Sequence, residues 1–187
     1  MKILGISGSL RKDSWNTKLL RAAGELFPGD AELEVWDGLK AVPPYDEDDD
    51  LEPAPAPVAH LRAAIAGADA VFFATPEYNS SVPGQLKNAL DWASRPVATN
   101  VLRNKPVAVV GASTGAFGAV WSQAELRKVL AATGARVVEG EVAVGHAPER
   151  FDEDGSLTDE AMREELAEVV DTLVEQVRMR TPVGVAA

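Results

Sequence analysis

Short apolar runs at residues 2–6, 33–36, 70–74 and 106–111 alternate with longer segments of helical period, and a weaker fifth run covers 137–144. Helices are expected at 15–26, 58–66, 85–94, 120–133 and 159–179. Strands joined by connections long enough to hold a helix build βαβ units, so the pattern demands a parallel sheet covered by helices. The runs 70–74 and 107–110 are apolar throughout instead of alternating, as a strand buried on both faces requires, and are expected to be central. Leu126, Val129 and Leu130 form one apolar stripe on the fourth helix, and Leu166, Val169, Val170, Leu173 and Val177 form another on the fifth. The 187 residues suit a single domain over 1–180, with 181–187 as a loose tail.

The segment 41–57 breaks the pattern. Acidic residues from Asp46 to Asp50 precede Pro53, Pro55 and Pro57, a composition that neither a helix interior nor a central strand tolerates. It reads as a long surface loop between the second strand and the second helix, its acidic run a solvated face.

Charge and residue usage exclude several functions. A net charge of −11 repels nucleic acid and anionic membranes. The absence of cysteine removes disulfides, thiolate metal ligands and thiol catalysis, and His60 and His146 leave little for a histidine metal site. His146, alone in its loop, is given no role. Redox chemistry in this chain would need a bound cofactor. The apolar run at 2–6 meets glycine and serine too soon for a signal segment or a spanning helix, so a cytoplasmic protein is expected.

Three loops that follow neighbouring strands carry the candidate chemistry. The first, Gly8-Ser9-Leu10-Arg11-Lys12-Asp13-Ser14-Trp15-Asn16, is rich in small hydroxyl residues and runs into a helix. Free first-turn N–H groups and the positive end of the helix dipole attract an anion, Ser9, Ser14 and Asn16 add neutral donors, and Arg11 can grip a phosphate. The segment lacks the Gly-Lys-Ser/Thr of a P-loop and the Gly-x-Gly-x-x-Gly of a dinucleotide fold, leaving a phosphate monoester. A plainer reading has Ser14 or Asp13 simply capping the helix.

The second loop, from Thr75-Pro76-Glu77-Tyr78-Asn79 to Pro83-Gly84, starts where the third strand ends and offers a flat ligand an aromatic ring, an amide and backbone donors. Its plainer reading is an ordinary loop followed by a helix whose Leu86, Leu90 and Trp92 are core. Glu77 has no partnered histidine or second carboxylate nearby and is expected to serve loop architecture, while Lys87 and Asp91 suit a surface ion pair. In the third loop, Gly111-Ala112-Ser113-Thr114-Gly115-Ala116-Phe117-Gly118, small residues let a ligand approach the backbone, although a tight turn would use the same residues. Trp15, Trp36 and Trp92 are large enough to be read first as packing.

Taken together, the Gly8-Ser9-Leu10-Arg11 loop with Ser14 and Asn16, the Pro76-Glu77-Tyr78-Asn79 loop continued by Pro83-Gly84 and Leu86-Lys87-Asn88-Ala89, and Gly111-Ala112-Ser113 with Gly115 and Gly118 resemble the NADPH-dependent FMN reductase family, a flavodoxin-like group of quinone, chromate and azo-dye reductases. The resemblance runs from Lys2 to about Met179. It departs at Gly118-Ala119 and Trp121, where members often carry a Gly-Gly pair and then a basic residue.

The resemblance implies a flavodoxin-like three-layer α/β sandwich with a five-stranded parallel sheet in the order 2-1-3-4-5. It also implies bound FMN contacted by Ser9, Arg11, Ser14, Trp15 and Asn16, by Pro76, Glu77, Tyr78 and Asn79, and by Ser113, Thr114 and Gly115. NADPH or NADH would give hydride to the flavin, and a quinone or similar small acceptor would then collect the electrons with ping-pong kinetics and no side-chain acid or base. A homodimer or homotetramer is implied, with Trp121 and the helix after Pro83 at the contact. The alternatives are a non-enzymatic FMN electron carrier that docks a protein partner through the 46–50 acidic cluster, and a regulatory module that senses another phosphate ligand.

Overall fold

The computed structural model describes residues 1–179; the tail expected at 181–187 lies outside the described residues. Strands β1 (Lys2–Ser7), β2 (Glu32–Trp36), β3 (Ala70–Thr75), β4 (Pro106–Ala112), β5 (Arg136–Val137) and β6 (Ala143–Val144) alternate with helices α1 (Trp15–Leu26), α2 (Ala56–Gly67), α3 (Gly84–Ala93) and α4 (Val120–Ala132), and α5 (Glu160–Arg178) closes the described chain. The strands pair in parallel in the order β2-β1-β3-β4-β5, as expected of a flavodoxin-like sheet, and β6 also pairs with β4.

β3 and β4 are buried along their whole length, which is why their sequences do not alternate in polarity. Alternate residues instead divide between two apolar layers. Ile3, Phe72, Ala74, Ala108 and Val110 pack with Leu19 and Leu20 of α1 and Leu166, Val170 and Leu173 of α5. Leu4, Ile6, Val71, Phe73, Val107 and Val109 pack with Leu61 and Ile65 of α2, Leu86 and Leu90 of α3, and Leu126 and Leu130 of α4. Asp159 caps α5, accepting from the Met162 N–H at 3.1 Å. That bond and the nearby Arg150 hold its carboxyl below its ordinary value, against the opposing effect of desolvation.

The fold departs from the sequence reading in two places. The fifth strand is not one run over 137–144 but two short pieces. Val138 N–H still donates to Val107 O, and Gly111 N–H to Val142 O, so both ends of the run reach β4 while the Glu139-Gly140-Glu141 segment between them bulges outward. The Arg127 guanidinium of α4 enters the gap and donates to Val109 O at 2.6 Å, to Val138 O at 3.0 Å and to Gly140 O. Burial pushes its pKa below the ordinary value and Glu141 pushes back.

The acidic loop is likewise not wholly solvated. Asp46 to Asp49 are exposed, but Asp50 turns inward to pair with Arg62 of α2 at 2.8 Å, both side chains nearly covered. The rest of the loop is held by the polar face of α3. Gln85 donates to Leu39 O and Val42 O at 2.8 Å each, Asn88 donates to Pro43 O at 2.8 Å and accepts from Tyr45 N–H at 2.7 Å, and the Trp92 indole N–H donates to Pro43 O at 2.9 Å. Lys87 and Asp91 form the surface pair expected of them, at 2.7 Å.

Candidate functional site

The register places the three chemistry-bearing loops side by side. Ser7 is level with Ala74 and Thr75 with Gly111, so the chains leaving β1, β3 and β4 emerge together at the carboxyl rim. Open α/β sheets bind ligands at such a rim. A pocket of about 200 Å³ lies there, and each of the three loops contributes to its lining.

From the first loop come Ser9, Arg11, Ser14, Trp15 and Asn16. Gly8 lets this loop lie flat on its neighbours, because a β-carbon there would stand 2.9 Å from Leu86 Cδ2 and 3.2 Å from Pro76 Cδ. Ser14 does cap α1, its Oγ accepting from Asn16 N–H at 3.2 Å. The cap and the anion site are compatible, since Ser14 takes only one of the first-turn N–H groups that lack an intrahelical acceptor. Arg11 stays exposed, with Nη2 donating to Asp13 O at 2.6 Å.

Asn16 reaches the pocket wall with its amide already engaged: Nδ2 donates to Ala112 O and Oδ1 accepts from Ala112 N–H, both at 2.9 Å. Its side chain therefore ties α1 to the end of β4. Trp15 packs on Phe151 with ring centroids 5.5 Å apart, and Lys18 sits over its ring at 4.4 Å.

From the second loop, Pro76, Glu77 and Tyr78 line the pocket and Asn79 does not. Tyr78 and Ser81 exchange two backbone hydrogen bonds around Asn79 and Ser80, which have φ values of 53° and 58°. This is the two-residue turn with both central residues left-handed, and it holds the exposed Tyr78 ring at the rim. A neighbouring recess of about 360 Å³, reaching Gly84 and Gln85 at the start of α3, shares Arg11 and Tyr78 with the pocket.

Glu77 does serve architecture, across the rim. Its Oε2 accepts from the N–H groups of Trp121 and Ser122 at 3.1 Å each. α4 needs this help because its N-cap residue, Ala119, has no side-chain acceptor.

From the third loop, Ser113 and Thr114 line the pocket, together with Ala112. Ala112 was not among the contact residues drawn from the resemblance. Gly115 stands back, its carbonyl accepting from Ser113 Oγ at 3.2 Å and from His146 N–H at 2.9 Å. Phe117 and Trp121 stack edge to face with centroids 5.1 Å apart and stay 63% and 49% exposed.

The residues present fit a flavin mononucleotide. The pocket lining combines Arg11, the Ser9 and Ser14 hydroxyls and the N-terminus of α1, which suit a phosphate, with Pro76, Tyr78 and the small residues Ala112 and Ser113, which suit a flat ring.

Comparison with known proteins points to the same cofactor. The family model for NADPH-dependent FMN reductases matches residues 1–149. An NAD(P)H-dependent FMN reductase of Pseudomonas aeruginosa is 41% identical over 92% of this chain and 93% of its own. A 2-hydroxy-1,4-benzoquinone reductase of Burkholderia sp. is 38% identical over 96% and 98%. Among solved structures, the flavoenzyme NAD(P)H:(acceptor) oxidoreductase FerB from Paracoccus denitrificans superposes with a TM-score of 0.83 at 37% identity, over 95% of this chain and 97% of that one. With a family match across most of its length and relatives aligned nearly end to end, this chain belongs to the NADPH-dependent FMN reductase family.

Proposed function

We propose that the described chain acts as a single FMN-binding domain that oxidises NADPH or NADH and reduces a quinone or similar small acceptor. The observation that carries this reading is the convergence on one rim of the α1 N-terminus, Arg11, Ser9 and Ser14 beside the flat wall at Pro76 and Tyr78. The benzoquinone reductase among its relatives supports the acceptor class.

FMN, when bound, supplies the redox chemistry, accepting hydride from the nicotinamide and returning two electrons to the acceptor. The chain's own work is placement. Arg11 would pair with the phosphate, Ser9 and Ser14 would offer it hydroxyls, and the first turn of α1 would set its dipole against the charge. Pro76 and Tyr78 would orient the ring, and the backbone from Ser113 to Gly115 would offer it polar groups. Glu77, the carboxylate of the pocket wall, is committed to two N–H groups, so proton transfer by a side chain is not part of the scheme.

The reading includes a cytoplasmic setting, where nicotinamide donors are found. It also includes a homodimer or homotetramer joined through the face that carries Phe117 and Trp121, whose exposed aromatic surface a second copy would cover. Light scattering at micromolar concentration is expected to give a multiple of the chain mass; a lone monomer would remove the assembly.

Arg11→Ala is expected to weaken FMN binding by roughly 1.5–3 kcal/mol, the value of a charge-assisted hydrogen bond, measured by flavin fluorescence titration. Unchanged affinity would sink the phosphate assignment. The function itself is tested by anaerobic visible spectra of the FMN-supplemented protein on addition of NADPH, then NADH, then a quinone. Bleaching by a nicotinamide and recovery with the quinone are expected. A bound flavin that never bleaches would mark an electron carrier, and failure to take up FMN a regulatory module.

A further inference from the structure

Glu77 lies on the pocket wall and also caps a helix whose own sequence offers no cap. Neither Ala119 at the N-cap nor any residue of the first turn of α4 supplies a carboxylate. Two further contacts run in the same direction. The Ser122 hydroxyl meets Thr75 Oγ1 at 2.9 Å; because Thr75 gives its own proton to Pro76 O, Ser122 is the donor there. Ser81 Oγ donates to Glu125 Oε2 at 2.6 Å. The 75–81 segment is thereby fastened to α4 at both of its ends and through Glu77 between them. Glu77 is also a charge beside the pocket, offset only in part by the roughly +0.5 of the helix end it caps.

We propose that Glu77 is a positioning residue for the ring-binding loop and a brake on the electron affinity of the bound flavin. Its two hydrogen bonds fix where Pro76 and Tyr78 stand relative to α4, and its negative charge opposes the charge that a reduced ring gains. The proposal rests on the FMN reading above. Substitution separates its two parts. Glu77→Gln keeps a carbonyl acceptor for the Trp121 and Ser122 N–H groups but removes the charge, and Glu77→Ala removes both.

In FMN-loaded protein, Glu77→Gln is expected to bind FMN within about threefold of the parent while its reduction midpoint, read against an indicator dye, moves to more positive potential. Glu77→Ala is expected to bind FMN roughly tenfold more weakly. In FMN-free protein, amide exchange at Trp121 and Ser122 is expected to accelerate roughly tenfold in Glu77→Ala and to stay near the parent rate in Glu77→Gln. A cap with a purely structural role would leave the Glu77→Gln midpoint where it was, and that result overturns the brake. Unchanged exchange in Glu77→Ala overturns the positioning role. Should Glu77→Ala fail to fold, the Glu77→Gln midpoint and exchange rates decide alone. A parent protein that takes up no FMN refutes the reading of the pocket, and the brake with it, while the exchange rates still decide the cap.

Discussion

Replacing Arg127 by methionine should lower the stability of the fold by about 2–4 kcal/mol, although the residue lies on a helix and far from the proposed chemistry. Methionine keeps the apolar stem and deletes three donations, to Val109 O, Val138 O and Gly140 O. Val109 O belongs to the stretch of β4 that neither β5 nor β6 pairs, so without the guanidinium it has no donor among the described residues. An unsatisfied buried acceptor costs about 1–3 kcal/mol, and the partial exposure of Gly140 keeps the total below the sum of three. Lysine carries the same charge as a single point instead of a planar fork, so Arg127→Lys should recover no more than about half of the loss. Urea unfolding followed by far-UV circular dichroism gives the comparison. A methionine variant within 0.5 kcal/mol of the parent would show that solvent satisfies the gap and that Arg127 does not plug it.

The same residue marks the limit of what the sequence could reveal. β1 to β4 and all five helices announce themselves because each is an apolar run or stripe whose period depends only on local geometry. The β5–β6 region does not, because its pairing is broken by a bulge that holds Glu139, Gly140 and Glu141, and the donor that replaces the missing strand comes from another element. In sequence Arg127 is one more charged residue beside the Leu126 and Leu130 stripe. Asp50 was misjudged for a related reason. It closes an acidic run that composition reads as solvated, yet its partner Arg62 lies on the following helix.

Most of the pocket's lining was legible, with Asn79 and Gly115 standing outside it and Ala112 missed, but its wiring was not. The pocket-lining residues sit in loops that follow strands, and the strand order, itself readable, brings those loops to one rim. Which side chains remain free to meet a ligand depends on contacts across the sequence. Asn16 spends its amide 96 residues away on Ala112. Glu77 spends its carboxylate 44 and 45 residues away on Trp121 and Ser122. One signal for the second was present: a helix that begins after Gly118-Ala119, with no Ser, Thr, Asp or Asn at the N-cap position, must draw its cap from elsewhere.

The third loop sets up the other large effect, because its glycines look alike in sequence and differ sharply in space. A β-carbon at Gly118 would lie 2.1 Å from the carbonyl carbon of Ala143, 2.4 Å from its oxygen and 2.6 Å from Val144 N, and Gly118 has a φ of +55°. All three atoms are backbone of β6, which is paired to β4, so no side chain can swing aside to make room. Gly118 O also accepts from the buried Gln123 amide at 3.1 Å, a bond that any shift of the loop would break. Gly118→Ala should therefore cost about 3 kcal/mol or more, from overpacking against a fixed backbone and the left-handed conformation together, and lower Tm by roughly 6–12 °C. At Gly115, three residues earlier, the nearest atom to an added β-carbon is Ser113 Oγ at 3.9 Å. Gly115→Ala should stay within about 0.5 kcal/mol of the parent. Thermal unfolding of the two variants side by side separates a loop whose glycines serve flexibility, where both would be mild, from one in which a single glycine lets the wall of the pocket close against β6.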